Sequence, residues 1–81
     1  MHVMAERYLA GAGSAAVASD VSRIKAAAAR LSEVRLVQSV YLPGDELCLY
    51  LFESDSVTTV AELGRLAELD LDRIRSAEVA R

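Results

Sequence analysis

Few side chains in this sequence are of a type that does chemistry. Cys48 is the only cysteine and His2 the only histidine. One cysteine excludes an internal disulfide and every multi-cysteine metal motif. A catalytic thiol needs a base, and a histidine at the start of the chain makes no evident Cys/His pair with it. Within an apolar run, a cysteine usually serves as a small hydrophobe. Among the candidate pocket residues, Glu6 is the only plausible acid or base. With Tyr8, Gln38, Tyr41 and Tyr50 it supplies a few polar groups among apolar neighbours, the composition of a small-molecule pocket. Tyrosines at strand positions are also common core and interface residues. Glu6 and Arg7 are adjacent in a strand pattern, so they point to opposite faces and cannot pair with each other. One of them faces inward and needs a structural hydrogen bond or ion pair. Arg73 and Arg75 can bind a carboxylate, although solvated arginines are the commoner case. There is no Ser/His/Asp set and no paired-carboxylate motif. Gly11-Ala12-Gly13 lacks the third glycine and the lysine of a phosphate loop.

The elements that position these residues follow from a short and apolar chain. It has 81 residues, 53% of them hydrophobic, and a formal charge of -3. That length specifies one domain near the size where a single core barely suffices. An acidic balance opposes nucleic-acid binding, which wants a basic stripe. No apolar stretch approaches bilayer length, and Glu6 and Arg7 come too early for a signal-peptide core. A cytoplasmic protein is the expectation.

Leu47-Cys48-Leu49-Tyr50-Leu51-Phe52 is a strand apolar on both faces, bounded by Pro43-Gly44-Asp45 and Glu53-Ser54-Asp55-Ser56. The leucines fall on one face and Cys48, Tyr50 and Phe52 on the other, so both faces need cover. His2 to Leu9 alternates as a strand, with Val3, Ala5, Arg7 and Leu9 opposite Met4, Glu6 and Tyr8. Ala10-Gly11-Ala12-Gly13 ends it, and Ser14 is a candidate helix cap. Val17, Val21, Ile24, Ala28 and Leu31 form a helical stripe, with Asp20, Arg23, Lys25 and Arg30 off it. Val34 to Leu42 reads as a strand with Val34, Leu36, Gln38 and Val40 on one face and Arg35, Val37, Ser39 and Tyr41 on the other. Pro43-Gly44-Asp45 closes a hairpin, and the opening strand is expected to pair back against the second. Ser56 or Asp55 caps a second helix, in which Gly64 marks close approach to a neighbour. Leu69-Asp70-Leu71-Asp72 connects to a last strand over 73–80.

Three blocks resemble those of a known family: Glu6-Arg7-Tyr8-Leu9, Asp45-Glu46-Leu47-Cys48 followed by Leu51-Phe52-Glu53, and Leu71-Asp72-Arg73-Ile74. The family is one of small bacterial proteins catalogued as a domain of unknown function, with one member described as nickel-binding. The resemblance implies a ferredoxin-like fold and raises nickel as a ligand. Where many members have a His-Ser pair on the second strand, this sequence has Gln38-Ser39. Glutamine is a poor nickel ligand beside imidazole, which leaves His2 as the candidate.

The sequence therefore predicts one ferredoxin-like α+β domain over 1–81 in the order β-α-β-β-α-β. A four-stranded antiparallel sheet carries two helices on one face, and two copies close as a dimeric α+β barrel. The expected role is a homodimer that binds or transforms a small, partly apolar molecule between sheet and helices. Glu6, Tyr8, Gln38, Tyr41 and Tyr50 are the candidate ligand-binding residues, with Glu6 as acid or base. The alternatives are a nickel or other divalent-metal protein, and an accessory dimer without ligand. No resident cofactor, nucleic acid or membrane is expected.

Overall fold

The strand that is apolar on both faces lies inside the sheet. In the computed structural model, which describes residues 1–11 and 13–80, the sheet order is β2-β3-β1-β4. Its strands are β1 (His2–Tyr8), β2 (Val34–Leu42), β3 (Leu47–Ser54) and β4 (Arg73–Ala77), and its helices are α1 (Gly13–Leu31) and α2 (Val57–Ala67). The element order and the α+β class are those expected. β1 pairs antiparallel with β3 and β4, not with β2 as anticipated. β3 takes the place beside both β1 and β2, because its two apolar faces favour a central position over an edge. No helix among the described residues is long and apolar enough to cross a membrane.

One face of the sheet is packed under the helices. Tyr50, Phe52, Cys48 and Val3 from the strands meet Ile24 of α1 and Val60 and Leu63 of α2, all fully buried. Leu47, Leu49 and Leu51 project from the other face, which no helix covers. Burying each large apolar side chain contributes about 1.5–3 kcal/mol. The tyrosine-phenylalanine face of β3 therefore stabilises the monomer, and the leucine face has yet to be used.

β2 changes sides partway along. Leu36 pairs with Phe52 and Gln38 with Leu51, so Val37 is an extra residue with no partner on β3. Such a bulge exchanges the faces of everything beyond it. Val34 and Leu36 face the helices, but so do Ser39 and Tyr41, while Gln38 and Val40 turn to the open face. Strict alternation had put Gln38 and Val40 with Val34.

Local chemistry sets the element ends. α1 begins at Gly13, so Ser14 lies in its first turn and does not cap it. Ala12, part of the expected turn, lies outside the described residues. Ser56 caps α2 by accepting from the Thr59 amide at 3.1 Å. Glu68, left-handed at φ 56, ends α2, where the Leu69 amide donates to the Gly64 carbonyl at 3.0 Å. A Cβ on Gly64 would lie 2.8 Å from Leu71 Cδ1, which is the close approach its glycine implied. β4 stops at Ala77, short of the expected residue 80.

Candidate functional site

Alternation along β1 sends Arg7 under the helices and Glu6 to the open face, and each collects a polar group around it. Arg7 Nε donates to Asp20 Oδ2 at 2.7 Å, and the Tyr50 hydroxyl donates to the same oxygen at 3.0 Å. Arg7 Nη1 reaches the Asp70 carbonyl at 3.3 Å. Asp20 is only 3% exposed and Tyr50 fully buried. Asp20 follows Val17 by three positions and precedes Ile24 by four, so the helix turns it onto the sheet.

This inner cluster ties α1 to the centre of the sheet. Burial, then the neighbouring Cys48 thiol and Asp20 carboxylate, push the Tyr50 hydroxyl well above the usual tyrosine range. Burial likewise raises the Cys48 thiol, which disfavours the thiolate that a nucleophile requires. Neither Tyr50 nor Cys48 has exposed surface. The cluster is a fastening.

The outer cluster lies on the open face. Glu6 pairs across the sheet with Leu49 on one side and Arg73 on the other. Glu6 Oε2 accepts from Arg75 Nη2 at 3.1 Å, and Arg73 Nε lies 3.8 Å from that oxygen. Around it runs an apolar surface of Met4, Leu49, Leu51, Leu47, Val40, Leu42 and Tyr8. Tyr8 is 63% exposed, Val40 40% and Leu42 37%.

The five candidate ligand residues are divided between the faces. Glu6, Tyr8 and Gln38 share the open face; Tyr41 and Tyr50 lie on the helix side. The space between sheet and helices where a pocket was expected is filled by Tyr50, Phe52 and Ile24. Two surface hollows lie elsewhere. One of about 330 Å³ sits at a sheet end beside Met1, Glu33, Arg35 and Glu53, and one of about 210 Å³ lies between the helices beside Arg23, Arg30 and Leu66. Neither is lined by any of the five.

The one histidine lies beside one carboxylate. His2 Nε2 is 3.9 Å from Glu53 Oε2, and no group of three His, Cys, Asp or Glu residues able to hold a metal ion forms among the described residues.

Comparison with known proteins adds the fold. The chain is similar to the crystal structure of SCO4226 from Streptomyces coelicolor A3(2), with a TM-score of 0.83 and 18% identity over 100% of both chains. No family model matches the chain, and no curated protein does.

Sequence reasoning missed Asp20, which it placed off the apolar stripe. The available signal was Arg7: an arginine on the inward face with Val3 and Ala5 demands a buried carboxylate. Asp20, at helical spacing from Val17 and Ile24, is the residue α1 offers.

Proposed function

We propose that this protein is a homodimeric binding module whose two sheets meet open face to open face as an α+β barrel. The observation that carries this reading is the apolar surface of Met4, Tyr8, Val40, Leu42, Leu47, Leu49 and Leu51, opposite the helices. Four strands about 4.8 Å apart and seven residues at about 3.4 Å make a face of roughly 450 Å², of which these seven side chains cover about half. An exposed apolar patch of a few hundred Å² rimmed by charged residues is the kind of surface that serves as an interaction site. A second copy is the occupant that a twofold axis supplies without any other partner, because the same patch serves both sides. The enclosed space between the sheets then holds a small, partly apolar molecule next to Glu6, Gln38 and Tyr8. Tyr41 and Tyr50 support the sheet from behind.

The test is mass in solution. Light scattering at micromolar concentration is expected to give twice the 8.7 kDa of one chain. Leu49→Asp, which puts a charge in the centre of the patch, is expected to give a monomer of lowered stability, since the monomer core is small. A folded wild-type monomer at that concentration overturns the reading.

A further inference from the structure

The charges on the open face do not balance. Arg35, Arg73 and Arg75 stand there against Glu6 and Glu53, while the whole chain is net negative. Arg35 and Glu53 answer each other, with Nη2 to Oε2 at 3.3 Å. Arg73 and Arg75 share the single oxygen Glu6 Oε2, one by a hydrogen bond and the other only by proximity at 3.8 Å. Each guanidinium carries about five N–H donors, so this pair has most of its donors free for a ligand or water. Asp72, next in sequence to Arg73, accepts from the Tyr8 amide at 2.9 Å.

A second copy docked on this face brings the same residues. Whatever the docking angle, twofold symmetry doubles the excess of arginine over glutamate and cannot cancel it. Covering the face removes the water that solvates these guanidiniums, and a desolvated, unpaired cation costs several kcal/mol. The missing partner is an anion from outside these residues.

The neighbours specify the rest of that molecule. Across the sheet from Arg75 lie Met4, Leu51 and Gln38; across from Arg73 lie Glu6, Leu49 and Val40. Three strand spacings separate β4 from β2, about 14 Å of mostly apolar surface leading away from the arginines. We infer that the open face binds an amphipathic monocarboxylate, its head held by Arg73 and Arg75 and its alkyl chain lying over Met4, Leu49 and Leu51 toward β2. Glu6 gathers the two guanidiniums through one oxygen and offsets one of their charges, so that a singly charged head completes the balance. Planar guanidiniums suit a carboxylate because two parallel N–H···O bonds form at once. This inference names the ligand class of the dimer reading and rests on it for enclosure.

Titration calorimetry with decanoate, 1-decanol and acetate, on wild type and on the Arg73→Gln/Arg75→Gln double variant, tests it. Both arginine side chains are at least half exposed, at 65% and 51%, so the variant keeps its fold. Decanoate is expected to bind wild type at least about tenfold more tightly than decanol or acetate. In the double variant decanoate loses at least about tenfold, and decanol stays within about twofold of its wild-type value. Decanoate binding no better than decanol, or unchanged in the variant, or absent, overturns the inference. Light scattering on the same samples separates the two readings. A dimer that does not distinguish decanoate from decanol removes the ligand class and leaves the dimer. A monomer that binds decanoate through the arginines keeps the ligand class and removes the dimer.

Discussion

Replacing Asp20 by asparagine keeps the size of the side chain and removes the charge on which Arg7 and Tyr50 converge. Breaking a buried pair by removing one partner costs about 3–5 kcal/mol. Arg7 keeps 20% of its side chain in solvent and a second bond to the Asp70 carbonyl, so part of its charge can be recovered by water. The expected loss for Asp20→Asn is therefore about 2–4 kcal/mol. Tyr50→Phe removes one hydrogen bond to a charged acceptor and leaves Asp20 paired with Arg7, which places it near the lower end of about 1.5–3 kcal/mol. The combined change Arg7→Met, Asp20→Leu, Tyr50→Phe removes every polar member together and is expected to cost less than Asp20→Asn alone. Urea unfolding followed by circular dichroism at pH 7 measures all of these. Protein concentration must be held constant, since assembly contributes to apparent stability. If Asp20→Asn falls within about 0.5 kcal/mol of wild type at unchanged slope, the cluster is not the fastening described.

The other predictions concern α2 and alkaline pH. Gly64→Ala gains about 1 kcal/mol of helix propensity but drives a methyl against Leu71 Cδ1, so it is expected to be near neutral in wild type. In a Leu71→Ala background the same change should stabilise, and thermal melts of the four proteins give the coupling directly. Tyr50 is held neutral in the fold by burial, so its folded value lies above its unfolded one. Its contribution is then complete below the unfolded value of about 10 and is lost as pH rises past it. Stability measured from pH 9 to 11 should decline, and Tyr50→Phe should flatten that decline; an unchanged slope would exclude Tyr50 as its source.

Much of the architecture could be read along the chain because it rests on local rules. Leu47 to Phe52, closed off by Pro43-Gly44-Asp45 and Glu53-Ser54, is a strand by length and punctuation, and it lies within β3. The Val17-to-Leu31 periodicity is a helix by spacing, and Ser56 is a cap by its hydroxyl and its place before the helix. Gly64 announced a close neighbour by lacking a side chain in mid-helix, although only the fold names Leu71 as that neighbour. Alternation on β1 also sorts Glu6 from Arg7, since successive strand side chains must diverge.

What tertiary structure decided was which residues meet. Asp20 looks like a solvent-facing residue until the inward Arg7 and Tyr50, thirteen residues before it and thirty after it, arrive at the same oxygen. The bulge at Val37 leaves no mark in β2 itself, because it exists only relative to the register of β3. It moves Gln38 to the open face and Tyr41 to the helix side, the reverse of what strict alternation along β2 gives each. The pairing of Glu6 with Arg73 and Arg75 likewise needs β4 beside β1, a neighbour that nothing within either segment specifies. Side-chain type and period are properties of a segment, while strand order, register and charge balance across a face are properties of segments brought together.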